Sequence, residues 1–387
     1  MKSMLFSPLK IRDLALKNRI VISPMQQHAA FDGIASDWHM VHYGKFAFGG
    51  AGLIIVEATA VSPSGLASDD DLGIWRKDQA DALAPIVEFA HKRGSAIGLQ
   101  LGHAGRKAGT TAIWKGSRTL TPEEMRIKHP QWERVGPSII AATPDSSAPR
   151  EMTLADIEQV KRDFTAAAIR ADEAGFDMVE LHFAHGYLVA SFLSPLSNQR
   201  ADQYGGSLEN RMRFALETAA AVREALNETK PLFCRISVVD GGGEGGWTEK
   251  DSVVLARELS RMGVDVIDCS SGGLTQSPTQ VARGLGFQVP YAASVRKQAG
   301  VMVQAVGLIL DAEQAEEILQ EGKADLIAIG RAAYYDPYWP HHARDALNEY
   351  DDFANWPVEH AAWLKRREPI MREIREKRRL KVNPSGG

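Results

Sequence analysis

A chain of 387 residues can hold one large unit or two ordinary ones, and 44% hydrophobic with 24% charged residues marks a soluble-type globular protein with a sizeable core. A net charge of -4 gives no basic footprint for nucleic acid or for an anionic membrane surface. The two cysteines, Cys234 and Cys269, each lie inside an apolar run, which excludes a disulfide scaffold, a zinc ribbon and a four-cysteine iron–sulfur cluster.

The amino-terminal stretch MKSMLFSPLKIRDLALKNR is broken by charges and lacks the apolar centre of a secretory signal. No run approaches the roughly 18 apolar residues of a membrane span, so a cytoplasmic protein without membrane contact is expected. Buried strand-like runs then follow at about 18–25, 52–60, 95–102, 176–183, 231–238, 264–270, 301–309 and 325–330. Amphipathic helical patterns separate most of them, such as 154–175 with Thr153 as N-cap. A recurring phrase joins helix to strand: Gly175-Phe-Asp177, Gly263-Val-Asp265 and Ala324-Asp325, each followed by β-branched residues. Glycine suits the left-handed end of a helix, and continuous apolar runs suit strands buried on both faces of a parallel sheet. Eight alternations favour a closed (β/α)8 TIM barrel over a doubly wound sheet of five to seven strands. The single barrel domain is expected over residues 1–350, with an excursion at 104–150 after the third strand. Residues 351–387 form a basic C-terminal helical tail, with nine Lys or Arg against four Glu from 357 onward and a frayed PSGG end.

Residues 241–246, GGGEGG, satisfy the spacing of a dinucleotide fingerprint. That fingerprint needs its third glycine to enter a helix, whereas Trp247 intervenes here and Thr248 with Asp251 starts a helix of its own. A flexible βα loop is the better reading. Barrels commonly bind phosphate after strands 7 and 8, where Gly307, Gly330 and Arg331 stand. Arg235, in the middle of the apolar FCRISV, is costly to bury without an anionic or hydrogen-bonding partner and is expected to face the barrel mouth. The stretch 180–188, ELHFAHGYL, brings His182, His185 and Tyr187 to the end of the fourth strand. These residues could ligate a metal, pack, or hold a substrate oxygen.

Four motifs together resemble the Old Yellow Enzymes, flavin-dependent ene-reductases, and most closely their bacterial thermophilic-like and xenobiotic-reductase subgroup. They are LHFAHGYLVASFLSPLSNQRADQYGGSLENR at 181–211, GHAGRK at 102–107, DCSSGG at 268–273 and ADLIAIGRAAYYDP at 324–337, within a resemblance running from about residue 5 to 345. The resemblance implies an FMN cofactor across the barrel mouth, touched by Ser23, Pro24, Met25, Gln26 and Ala58. Gln100 and Arg235 would meet its pyrimidine edge, and Gly307, Gly330 and Arg331 its phosphate. It further implies NAD(P)H as electron donor in ping-pong kinetics, and a small-molecule substrate activated by a carbonyl or nitro group. His182 and His185 would bind the activating oxygen, and Tyr187 would supply a proton. A homodimer or homotetramer is also implied.

The chain departs from that subgroup after strand 1. Relatives carry a cysteine where Gln26 stands and a substrate-contacting tyrosine where His28 stands, so Gln26 is expected at the flavin edge and His28 at the substrate. Trp356 or Trp363 in the tail is expected to reach a substrate pocket of its own or a neighbouring chain. Two rival activities share these residues: a flavin-dependent dehydrogenase or reductase of an acyl-CoA or amine, and a metal-dependent barrel hydrolase drawing on His182, His185, Glu180, His103 and Asp268. The hydrolase needs more converging ligands than the strand alternation allows, and no metal is expected.

Overall fold

A hairpin of β1 (Leu9–Ile11) and β2 (Leu14–Leu16) opens the fold. Eight parallel strands then close a barrel, interrupted in sequence by the short pair β6 (Val135–Gly136) and β7 (Arg150–Glu151). The barrel strands are β3 (Ile20–Ile22), β4 (Leu53–Ala60), β5 (Ala96–Gly102), β8 (Met178–Phe183), β9 (Leu232–Ser237), β10 (Val266–Ser270), β11 (Met302–Val306) and β12 (Leu326–Ile329). Each lies within one of the eight apolar runs of the sequence, and β12 pairs with β3 to close the ring. The computed structural model describes residues 3–275 and 283–382, so the PSGG end lies outside the described residues.

Helices fill the connections: α1 (Asp37–Gly49), α2 (Lys77–Lys92), α3 (Pro122–Lys128), α4 (Leu154–Glu173), α5 (Leu188–Leu193) and α6 (Leu208–Ala225), then α7 (Glu249–Arg261), α8 (Val289–Ala299) and α9 (Ala312–Gln320). After β12 come α10 (Arg331–Tyr335), α11 (Trp339–Ala346) and α12 (Val358–Val382). Thr153 caps α4 by accepting from the Asp156 N–H, and Thr248 caps α7 with Asp251 in a capping box. The GGGEGG segment is thus a loop that ends before α7 begins, tied by Asp240, which accepts the Gly242 and Trp247 N–H groups at 2.8 Å each.

Strand alternation sorts the core into two layers. On β4, Leu53 and Ile55 point into the barrel, where they meet Met178, Phe233, Val266 and Leu326, while Ile54 and Val56 face the surrounding helices. The hairpin supplies Ile11 and Leu16 to the inner cluster and so plugs the end of the barrel from which the strands start. Both strand faces are covered, which is why each strand reads as a continuous apolar run.

The aspartate of the repeated helix-to-strand phrase has one job at each site. Asp177, Asp265 and Asp325 each donate their own N–H to a carbonyl of the preceding strand and accept an N–H from that strand with the side chain. The side-chain bonds are Ile97 N–H at 2.7 Å, Leu232 N–H at 2.9 Å and Val303 N–H at 3.0 Å. The carboxylate thereby extends the ladder where the strands begin, and each bond to a charged acceptor is worth about 1.5–3 kcal/mol.

The excursion after β5 carries its own small core, including Leu120, Met125 and Trp132 against Leu66 and Ala67, and Tyr187 packs against it. It covers the strand end that bears the polar residues. The tail goes elsewhere: Trp356 stacks on His341 at 4.4 Å between ring centres and on Tyr338 at 5.2 Å. His341 sits beside Gly50 at the end of α1, just ahead of β4, so Trp356 lies at the starting end of the strands. The expectation that Trp356 binds substrate is therefore not met within its own chain, because the aromatic stack on α11 holds it at the wrong end of the barrel. Trp363 is 71% exposed. No helix among the described residues is long and apolar enough to cross a membrane.

Candidate active site

A polar layer caps the apolar barrel interior, built by strand register. Gln100 on β5 pairs with Glu180 on β8, His182 on β8 with Arg235 on β9, Arg235 with Asp268 on β10, and Asp268 with Gln304 on β11. Because side chains two residues apart share a face, the inward position of Glu180 also brings His182 inward, one step nearer the mouth. Arg235 donates from Nε to Asp268 Oδ2 at 2.7 Å and from Nη2 to Ser23 Oγ at 2.9 Å, while Nη1 has no protein partner among the described residues. Burial opposes the charge, but Asp268 and Glu180 keep the guanidinium protonated.

Beyond β8 the chain turns back on itself. His185 and Gly186 both take positive φ, 61° and 70°, and a Cβ on Gly186 would lie 2.4 Å from the Gly273 carbonyl oxygen, so only glycine fits there. Lys107 locks the turn by donating to the His185 and Gly273 carbonyls, and Ser237 Oγ accepts the His185 N–H at 2.9 Å. This brings the His185 ring back to His182, with His185 Nδ1 3.4 Å from His182 Nε2. His185 Nε2 meets Ser270 Oγ at 2.7 Å. Burial, then the nearby Arg235 and Lys107, push the His185 pKa down to about 3; burial, then His185, Arg235 and Lys107, drive His182 well below its ordinary value. Both imidazoles are thus neutral at pH 7, each with a single N–H to give.

Tyr187 starts α5, its ring 4.8 Å from that of His182. Its hydroxyl donates to Gln26 Oε1 at 3.3 Å, and Gln26 Nε2 donates to Asp71 Oδ2 at 2.9 Å. Asp71 Oδ1 lies 2.6 Å from His28 Nδ1, and Ser68 Oγ is 3.0 Å from the same nitrogen. Burial and then the Asp71 carboxylate push the Tyr187 pKa up, so the phenol holds its proton. Burial would lower His28, but the bond and charge of Asp71, with Glu57 and Asp70 behind, raise it. Gln26 therefore spends both ends of its amide on protein groups, and His28 turns to a carboxylate. Asp71 escaped the sequence reading because nothing local marks an aspartate 45 residues from Gln26 as its partner.

Ala58 lines the same recess as Gln26 and Tyr187. A separate cavity of about 290 Å³ at the ends of β11 and β12 is lined by Met25, Gln288, Gly307, Gly330 and Arg331. The Arg331 side chain is exposed and forms no ion pair among the described residues. No three His, Cys, Asp or Glu side chains converge as metal ligands among the described residues.

Residues 4–349 match the model of the NADH:flavin oxidoreductase / NADH oxidase family. The chain belongs to that family. As a member it is an FMN-dependent oxidoreductase fed by a reduced nicotinamide, and the Old Yellow Enzyme resemblance of its motifs is the same relationship. It is 45% identical over 349 residues to a NADPH dehydrogenase of Geobacillus sp. (strain WCH70), covering 90% of this chain and 95% of that one. A NADPH dehydrogenase of Bacillus subtilis (strain 168) is 43% identical over 346 residues, covering 89% and 95%. Among solved structures, morphinone reductase superposes with a TM-score of 0.75 at 29% identity, covering 89% of this chain and 90% of the other. Its complex with tetrahydroNAD gives 0.73 at the same identity, covering 88% and 90%.

The residues present fit a flavin phosphate. Arg235 Nη1 is a free donor at the mouth, and the cavity beside Gly307, Gly330 and Arg331 joins a charged fork to glycine backbone that an anion can approach. Met25, whose sulfur lies near Gly330, connects that cavity to the segment holding Gln26.

Proposed function

We propose that this flavin oxidoreductase reduces activated carbon–carbon double bonds, in enones, enals, nitroalkenes and maleimides, with NADPH as the electron source. The observation that carries the reading is the convergence of two neutral imidazoles and one high-pKa phenol on a single point at the end of β8. Similarity to relatives named NADPH dehydrogenases supports the coenzyme, and similarity to morphinone reductase supports a carbonyl-activated substrate.

Met25, Gly307, Gly330 and Arg331 would hold the phosphate end of FMN and Arg235 would meet it at the mouth, and the bound flavin would supply the hydride. The protein's own part begins with the substrate oxygen. An oxygen placed against His182 Nε2 and His185 Nδ1 takes a hydrogen bond from each, and these bonds strengthen as negative charge develops on it. For His185 to donate from Nδ1, Nε2 must be the unprotonated nitrogen, which requires the Ser270 hydroxyl to turn to it, 2.7 Å away, instead of to Gln288 Oε1 at 3.2 Å. The buried neutral rings bring no competing positive charge, so the oxygen is bound by directed donors. Tyr187 then gives its proton to the α-carbon as general acid and recovers one from water. Its raised pKa keeps it protonated until a stronger base, the developing carbanion, is in place. Nicotinamide and substrate use one mouth in turn, giving ping-pong kinetics.

The test is titration of the yellow, flavin-loaded protein with an enone. His182→Ala and His185→Ala should each weaken binding and slow turnover by about 100-fold to 1,000-fold, the usual cost of one oxyanion donor. Unchanged enone binding in both variants would remove the assignment.

A further inference from the structure

Two carboxyl groups lie within the barrel with one cation between them. Glu180 and Asp268 are both 0% exposed. Asp268 Oδ2 is fully engaged, by Arg235 Nε at 2.7 Å and Gln304 Nε2 at 2.6 Å, and Glu180 Oε1 accepts from Gln100 Nε2 at 2.7 Å. The other oxygen of each, Glu180 Oε2 and Asp268 Oδ1, has no hydrogen-bond donor. The two groups flank the same guanidinium, Asp268 Oδ2 at 2.7 Å and Glu180 Oε1 at 4.0 Å from Arg235 Nε. Among the described residues the surrounding elements present Ser23 on the β3 side, Gln100 on β5, neutral His182 on β8 and Gln304 on β11, leaving Arg235 as the one cation of the layer, with Lys107 further out on the His185 carbonyl.

Two ionised carboxylates would leave two buried acceptors unsatisfied and one buried negative charge uncompensated, both of which are costly. One proton resolves both defects. We propose that Glu180 and Asp268 hold a single proton between Glu180 Oε2 and Asp268 Oδ1, so that the pair presents one negative charge and positions Arg235 at the barrel mouth. The proton belongs mainly to Glu180, because Asp268 contacts the guanidinium directly whereas Glu180 Oε1 is 4.0 Å from it. Burial, and after it the Asp268 charge, pushes the Glu180 pKa up, in accord with that assignment. Two carboxyls sharing one proton is a recurrent arrangement where like charges meet.

The consequence is electrostatic. With the proton present, carboxyl pair and arginine sum to zero; without it they sum to minus one beneath a cofactor that becomes negative on reduction. Glu180 and Asp268 are then positioning residues that let Arg235 act toward the flavin with its charge intact. This consequence rests on the flavin reading of the site, whereas the shared proton does not.

Infrared spectroscopy of the full-length apoprotein at neutral pH tests the proton itself. A carbonyl band of a protonated carboxylic acid is expected, absent from Glu180→Gln, whose amide can replace the acid as donor to Asp268. Spectra of wild type carrying carbon-13-labelled glutamate decide the same point without a substitution. In the flavin-loaded protein, Glu180→Gln removes no charge and should leave the midpoint potential where it is, whereas Asp268→Asn added to Glu180→Gln leaves no carboxyl to carry the negative charge and should raise it. The proposal is overturned if no glutamate-derived protonated-carboxyl band exists, or if Glu180→Gln alone raises the potential as far as the double substitution does. A protein that binds no flavin defeats the functional reading alone, since the infrared result still decides the proton.

Discussion

Tyr187→Phe separates the proton step from everything else the site does. The ring keeps its tilted contact with His182 and its packing on the excursion core, so only the hydroxyl is lost. That hydroxyl makes one long bond, 3.3 Å to Gln26, so removing it should cost less than about 1 kcal/mol of stability. Its catalytic cost is larger. A positioned general acid contributes about 100-fold to 10,000-fold. The expected loss is at least about 100-fold, or about 2.7 kcal/mol of barrier. The assay is stopped-flow in two halves. Reduction of the flavin by NADPH needs no proton from Tyr187 and should keep its wild-type rate; reoxidation by an enone should slow and gain a solvent isotope effect. Equal slowing of both halves would mean a general disturbance of the site, and no slowing of reoxidation would refute the assignment of the proton to Tyr187.

The chain from Tyr187 to His28 yields two more expectations. Gln26→Leu removes the acceptor that holds the phenol and should slow enone reoxidation several-fold with little change in NADPH reduction; a variant altered only in flavin potential would show instead that Gln26 works at the flavin edge. A histidine whose folded pKa is raised adds stability that is complete below its unfolded value of about 6.5 and disappears as pH climbs through the folded value. Melting curves of wild type and His28→Gln should therefore differ most near pH 6 and converge toward pH 9, and a gap that widens with pH would contradict the His28–Asp71 pairing.

The barrel was legible because parallel strands covered on both faces must be continuously apolar, and the repeated aspartate could be seen although its bond to the neighbouring strand could not. The hairpin plug was not legible: LKI and LAL are three residues each, too short to display a period, and only the closed barrel gives Ile11 and Leu16 something to fill. His182, His185 and Tyr187 stood out because they fall within six residues on one strand end. Their setting did not, since Asp71, Ser270 and Lys107 arrive from other loops and carry no local signal. Glu180 and Asp268 were noticed only as metal ligands, because sequence spacing does not reveal that Arg235 lies between them in the register. Trp356 could not be placed for the opposite reason: a tail aromatic signals burial without direction, and within its own chain His341 supplies the partner.

The most direct test of the central claim is anaerobic reoxidation of the NADPH-reduced protein by a cyclic enone and by the corresponding saturated ketone. Rapid return of the oxidised flavin spectrum with the enone and none with the ketone, yielding the saturated product, is the predicted result. Reduced protein that no enone, nitroalkene or maleimide reoxidises would contradict the account.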